Sequence, residues 1–339
     1  MKILLIMDPG IPVPPDLYGG HERLVYLFAE EYVKMGHSVE LLAGPNSKIT
    51  GNSYSFGIND LKRSKWQRLK EVITAWALIF SKRKEYDLIH NFGRLIYLLP
   101  ILHSNCNKIM TYGRPVSRPG IKMINNLPTK NLIFTACSNY CKSTGDIAGK
   151  WETVYNTVNF DDYNPVMIIS EDAPFMFLGR LDKIKGCHTA INVALKTGSK
   201  LWIAGNISDT DDNYHYFKKV IEPQIDNEQI IYLGALNDKQ KNEYLGKSKA
   251  LLFPIEWDEP FGMVMIEAMA CGTPVIGFKR GSVPEIIIDG KNGFIVETEQ
   301  EMINATQRLN DINRNECSST VREIYNTSKI ANKYLEIIN

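Results

Sequence analysis

Short apolar runs of β type alternate with longer segments of helical period along the chain, and the alternation runs through twice. In the first pass, "KILLIM" (2–7), "SVELLA" (38–43), "YDLIH" (86–90), "KIMT" (108–111) and "LIFTA" (132–136) have the length and composition of buried strands. Between them, 20–35 carries Leu24, Phe28, Tyr32 and Met35 at helical spacing and stops at Gly36. Residues 66–80 repeat the pattern with Leu69, Val72, Ile73, Trp76 and Phe80. Such alternation requires a parallel sheet covered on both faces, because each crossover lays a helix on the sheet. The second pass opens after residue 160 with "PFMFLG" (174–179), "KLWIAG" (200–205), "IIYLG" (230–234), "ALLFP" (250–254) and "TPVIGF" (273–278).

At 339 residues the chain exceeds one typical core. The expectation is an α/β protein of two doubly wound, Rossmann-like domains, 1–158 and 159–320, facing each other across a cleft. The polar, proline-containing segment 156–174 reads as the linker and the entry to the second domain. Residues 321–339, with Val321, Ile324, Ile330, Tyr334 and Ile337 in helical phase, read as a final helix packing back on the first domain.

Composition excludes several classes. Lys plus Arg number 39 against 38 Asp plus Glu, so no global field recruits nucleic acid. The six cysteines form no CxxC pair and no zinc spacing, which reads as buried thiols in a reducing compartment. "KILLIMD" is too short for a signal sequence and no apolar run reaches the length of a membrane span. A cytoplasmic protein is expected.

The stretch "WDEPFGMVMIEAMACGTPVIGF" (257–278) holds Glu259 and Glu267 eight positions apart around an apolar run. "ALLFP" is a strand and "MVMIEAMA" a helix ending at Gly272, so "IEWDEPFG" lies where strand becomes helix. Unpaired N–H groups and the positive dipole end at a helix start favour an anion, phosphate above all. Gly262 lets a ligand approach the backbone. An acid near a helix start also suits the dipole without any ligand. From the residues alone, a ligand site and an amphipathic helix with a charged start are equally good readings.

"EPFGMVMIEA" resembles the E-x7-E signature of retaining glycosyltransferases of family 4, which have the two-domain GT-B architecture. The resemblance covers essentially the whole chain. "YGG" (18–20) is similar to that family's glycine-rich loop after the first strand, and "GRLDKIKG" (179–186) to its Arg…Lys segment. "GTPVIGFKRGSVPEIIIDGKNGFIV" (272–296) matches its next strand, loop and turn. Several motifs in the right order are far more specific than any one of them.

The resemblance implies roles residue by residue. Arg180 and Lys185 would meet the charge growing on a diphosphate leaving group, and Glu267 would bind the ribose. Glu259 would bind the donor sugar, with the amides of Phe261, Gly262, Met263 and Val264 touching sugar or phosphate. Gly19 and Gly20 would close over the diphosphate, and His21 and Glu22 would stand on the acceptor side or serve as a helix cap. The family implies transfer of a hexose from a nucleotide sugar, UDP-glucose as first guess, with retention and without a bound metal or other cofactor. "DTDD" (209–212) reads as loop and cap rather than a metal motif. One departure stands out. Many members carry a histidine in a Thr-x-His context after the fourth strand, but "MTYGRP" (110–115) has Gly113 there. Tyr112, Arg114 or His90 are the candidates to take over that sugar-side contact.

Three other functions compete. A nicotinamide oxidoreductase needs G-x-G-x-x-G after the first strand, and "MDPGIPVPPDLYGGHE" has the wrong glycine spacing. A non-catalytic nucleotide-sugar sensor would keep Glu267, Arg180 and Lys185. A GT-B-type nucleotide-sugar epimerase would consume donor without acceptor. Finally, 61–84 carries eight basic residues around an apolar stripe. The simpler expectation is that the stripe packs on the first sheet; the other is peripheral contact with an anionic membrane, at the inner face of the cell. The glycosyl acceptor is unspecified by the sequence.

Overall fold

The computed structural model describes residues 1–15, 19–145, 148–208 and 210–338. The chain divides into two compact units, Met1–Thr157 with Thr327–Asn339, and Val158–Asn326.

The first unit runs β1 (Lys2–Ile6), α1 (Gly20–Lys34), β2 (Ser38–Ala43), β3 (Asn52–Ser55), α2 (Lys65–Lys82), β4 (Leu88–Asn91), β5 (Asn107–Tyr112), α3 (Arg118–Asn125), β6 (Leu132–Ala136), α4 (Asn139–Ser143) and β7 (Trp151–Thr153). Its seven strands are all parallel in the order β3-β2-β1-β4-β5-β6-β7. The order reverses between β1 and β4, so the crossovers leave a crevice beyond their carboxyl ends. The apolar runs of β1 and β2 are buried because helices cover both faces, and α1 places Leu24, Phe28 and Tyr32 in the core. The strands β3 and β7 fall at the two sheet edges, where the mostly exposed β3 and the half-buried β7 can pair by backbone alone.

The second unit runs β8 (Phe175–Leu178), α5 (Cys187–Lys196), β9 (Leu201–Ala204), α6 (Asp211–Tyr216), β10 (Ile230–Tyr232), α7 (Asp238–Lys247), β11 (Leu251–Phe253), α8 (Met263–Ala270), β12 (Val275–Phe278), α9 (Val283–Ile286), β13 (Gly293–Val296), α10 (Glu299–Thr306) and α11 (Arg314–Ile324). Its six parallel strands are ordered β10-β9-β8-β11-β12-β13, and the reversal lies between β8 and β11. Each unit therefore repeats the doubly wound plan.

Two expectations need correction. Residues 321–339 are not one helix: α11 ends at Ile324, and α12 (Thr327–Glu336) is separate. Val321 is buried in the second unit, whereas Ile330 and Tyr334 of α12 join the first unit's core, where the Tyr334 ring meets Phe28 edge-on at 5.2 Å. The segment 156–174 enters the second unit at Val158. Val166 donates its amide to Cys271 at 2.9 Å, and Arg314 donates from Nε to the Val166 carbonyl at 2.6 Å, fastening it to the second unit. Arg314 also reaches the carbonyls of Gly246 and Ser248, a latch no local pattern announces.

The second correction concerns α2. Its core face is Glu71, Val72, Ala75 and Ile79, while Leu69, Ile73 and Phe80 are exposed. Among the described residues, no helix is long and apolar enough to cross a membrane.

Candidate functional site

In the second unit, the strand end after β8 and the loop after β11 meet at the point where strand order reverses. The turn 183–185 is laced to that loop by the Glu256 amide, which donates to the Ile184 carbonyl at 2.8 Å. This brings Lys185, 74 positions away in sequence, to Glu259: Nζ donates to Oε2 at 2.6 Å. The Trp257 indole donates to the same oxygen at 3.0 Å, and the Lys185 ammonium stands 4.9 Å from the centre of its ring. Glu259 is thus held from two sides. Its own backbone is pinned as well, since the Ser282 amide donates to the Glu259 carbonyl at 2.9 Å and the Ser282 hydroxyl to that of Phe261 at 2.8 Å.

Gly262 caps α8 with φ +80°, a left-handed conformation that favours glycine. Gly262, Met263 and Val264 are half-buried at this helix start, whereas the Phe261 ring is buried and meets Tyr325 edge-on at 5.8 Å. At the start of α8 the Met265 amide donates to the Gly262 carbonyl at 3.0 Å, while the amides of Met263 and Val264 precede the first turn's hydrogen bonds. Farther along α8, Glu267 is buried and its Oε1 accepts from Lys241 at 2.9 Å. Its Oε2 is sealed from solvent without a hydrogen-bond partner. A buried acceptor left over is costly unless a donor arrives. Lys241 also pairs with Asp238 at 2.9 Å. Burial works against its ammonium, but the two carboxylates outweigh that and raise its pKa.

Arg180 follows β8, is exposed, and pairs with Asp182 at 2.8 Å rather than with Glu259 or Glu267. His188, which the sequence did not single out, donates or accepts at Tyr216 (2.8 Å) and lies 2.9 Å from Glu256 beside the same loop.

The first unit has its own cavity of about 350 Å³ beyond the carboxyl ends of β1, β4 and β5, again at the reversal of strand order. Asp8, His21, Tyr112, Gly113 and Arg114 are in its wall. Asp8 is fixed by Arg94 Nε at 3.2 Å and the Tyr97 hydroxyl at 2.9 Å, and Arg94 also reaches buried Glu71 at 3.0 Å. None of Asp8, Arg94 or Tyr97 carries a sequence signature, because the three meet only through the fold.

His21 begins α1 just after Gly19, the helix cap, and Gly20. Its Nε2 is buried without a hydrogen-bond partner, and a β-carbon built on Gly113 would collide with it. The space that a side chain at 113 needs is already filled by an imidazole from another element. Burial, then the nearby Arg114 charge, push His21 down to about 4 against a smaller opposing effect of Asp8. Glu22 is buried too; loss of hydration raises its pKa, a backbone hydrogen bond lowers it, and the Asp8 charge raises it further. Tyr112 is buried with an unpartnered hydroxyl and a ring tilted against Trp151, while Arg114 is exposed. Tyr18 of the "YGG" loop and Asp209 of "DTDD" lie outside the described residues.

His90 does not reach a cavity. It is fully buried, with Nε2 2.8 Å from the Thr111 hydroxyl and its ring 4.0 Å from Phe92 and 4.5 Å from Tyr334. Burial drives it down to about 3, so it is a neutral core histidine. Among the described residues, no group of three or more His, Cys, Asp or Glu side chains is arranged to hold a metal.

Residues 164–329 match the family described as Glycosyl transferases group 1. Spore coat protein SA of Bacillus subtilis is 22% identical over 92% of this chain and 90% of its own length. An uncharacterized 41.2 kDa protein in the cps region of Klebsiella pneumoniae is 29% identical over 56% of this chain; the match spans only 54% of that relative. The crystal structure of Anabaena Alr3699/HepE in complex with UDP-glucose has a TM-score of 0.74 at 17% identity, covering 100% of this chain and 99% of that one, a likeness of fold. With two doubly wound parallel sheets and a group 1 match confined to residues 164–329 of its second unit, the chain is a glycosyltransferase built on the GT-B plan.

Proposed function

We propose that this chain transfers a hexose from a nucleotide sugar, UDP-glucose first among the candidates, to a glycosyl acceptor with retention of anomeric configuration. The observation that carries the reading is the Lys185–Glu259 pair, 2.6 Å apart at the switch point of the second unit on the loop that leads into α8. A solved structure of similar fold is a complex with UDP-glucose, which supports the donor.

In this reading the second unit holds the donor. The unpartnered Oε2 of Glu267 accepts from a ribose hydroxyl, and the first amides of α8 meet phosphate or sugar oxygens. Glu259 accepts from hydroxyls of the hexose. As the bond from the anomeric carbon to the phosphate oxygen breaks, its electron pair stays on the diphosphate, and Lys185 and Arg180 offset that charge. The acceptor oxygen attacks the same face and its proton passes to the departing phosphate. The first unit supplies the acceptor surface, with the His21–Gly113 wall of its cavity as the sugar-side contact.

The test is a melting-temperature screen of UDP-, ADP- and GDP-sugars followed by an assay of nucleotide release with and without acceptors. A stabilising donor and acceptor-dependent release are expected. Absence of any stabilising sugar nucleotide overturns the reading. Binding without turnover across a wide acceptor panel points to the sensor, and donor consumption without acceptor to the epimerase.

A further inference from the structure

We propose that the first unit docks on an anionic lipid bilayer through the outer face of α2, a surface separate from the donor chemistry. The helix carries two apolar stripes. One, Val72, Ala75 and Ile79, is spent on the core. The other, Trp66, Leu69, Ile73, Trp76 and Phe80, recurs at alternating three- and four-residue steps, and all of it but the half-buried Trp76 is left outside. Trp66 is 77% exposed and Ile73 55%, with Leu69 and Phe80 each about half exposed, at 48% and 49%. A surface helix needs one apolar stripe, so the second is unexplained by folding.

Its setting is rigid. The Ser64 hydroxyl accepts from the Gln67 amide and the Gln67 side chain accepts from the Ser64 amide, so α2 starts at a closed capping box. Trp76 is half-buried and its indole donates to the Ile96 carbonyl at 2.8 Å. Ile96 and Met123 are themselves exposed and line the cavity of this unit, so the apolar surface extends beyond α2.

Charge selects the occupant. Residues 61–84 contain eight basic side chains and one acid, Glu71. That acid is buried and engaged with Arg63 and Arg94. Lys65, Arg68 and Lys70 are exposed at the start of the helix and form no ion pair among the described residues. At the other end the Arg83 guanidinium stacks 3.7 Å over the exposed Phe80 ring, and Lys84 follows. A second copy laid along this stripe would bring basic ends together in either direction, since both ends of the helix are basic. An anionic bilayer accepts the stripe in its interface and the flanking cations at its headgroups. The charge pattern therefore disfavours the dimer and fits the membrane.

The experiment uses the full chain sedimented with vesicles of phosphatidylcholine alone or mixed equally with phosphatidylglycerol. Binding to the anionic vesicles only is expected, weakening as salt is raised. Lys65→Glu with Arg68→Glu and Lys70→Glu should cut partitioning by about two orders of magnitude, and Trp66→Ser with Ile73→Ser should abolish it at unchanged melting temperature. A blue shift of tryptophan emission on binding should shrink in Trp66→Phe, with Trp76 supplying the remainder. Failure of the parent protein to bind anionic vesicles overturns the proposal, as does equal binding by the variants. A dimer in solution that Trp66→Ser with Ile73→Ser dissolves also overturns it, in favour of an interface between copies.

Discussion

The imidazole of His21, carried by the first turn of α1, occupies the space that a β-carbon on Gly113 would need at the end of β5. The two residues are 92 positions apart in sequence (113 minus 21) and their identities constrain one another. A side chain at 113 and a histidine at 21 are alternatives for one volume.

Gly113→Ala should therefore destabilise by about 1–3 kcal/mol through overpacking. His21→Ala with Gly113→Ala should recover most of that loss, which makes the pair strongly non-additive. Urea unfolding of the parent, both single variants and the double variant measures the coupling. Additive effects would refute the shared volume.

Acid should weaken the fold through the buried histidines. His21 is held down to about 4 and His90 to about 3, each mainly by burial, against an ordinary value of 6.5. Between pH 6.5 and about 4 the unfolded chain binds protons that the folded chain refuses, so stability is full above that window and falls as pH drops through it. Each histidine contributes a slope of up to about 1.4 kcal/mol per pH unit. His21→Gln should flatten the profile measured by denaturant unfolding; an unchanged slope would remove His21 from the account.

At the donor site, Lys185→Ala should lower kcat by about 10²–10³-fold if its ammonium meets the leaving group. Glu259→Ala should also act mainly on turnover. Steady-state kinetics on both variants decide this, and parental kinetics in either would exclude that residue from the reaction.

The buried carboxylate of Glu267 predicts a different signature. Glu267→Gln should weaken sugar-nucleotide binding about tenfold, the cost of roughly one charge-assisted hydrogen bond. Lys241→Met leaves Glu267 and Asp238 without their shared cation and should cost about 3–5 kcal/mol of stability. Calorimetric binding and unfolding curves separate the two effects. Loss of stability without loss of affinity in Glu267→Gln would make Glu267 structural.

The sheet interiors were legible because β1, β2 and β6 are mostly apolar and buried on both faces, with Glu40 and Thr135 as buried polar exceptions. The strand Asn52–Ser55 was not, since an edge strand made of polar residues has no period to read. Periodicity found α2 but chose the wrong face: Leu69, Ile73 and Phe80 are as regular as Val72, Ala75 and Ile79, and spacing cannot say which stripe meets the sheet. At the candidate site, Glu259 and Glu267 stood out through local spacing. Lys241, Asp182, Trp257 and Asp8 did not, because each gains its meaning from a partner or cavity that only the folded chain assembles. His90 misled because a histidine at a strand end looks the same in sequence whether it faces solvent or the core.

The placement of α12 has a consequence for synthesis. Ile330, Ala331 and Tyr334 complete the core built on β1, β2 and α1, yet the ribosome makes them after the whole second unit. The continuous second unit has all its parts once Asn326 has emerged, whereas the half translated first waits with Phe28 and its neighbours uncovered until the last helix arrives. The portion of the chain born earliest is thus the portion finished last, and its vulnerable interval to aggregation or proteolysis is set by elongation speed.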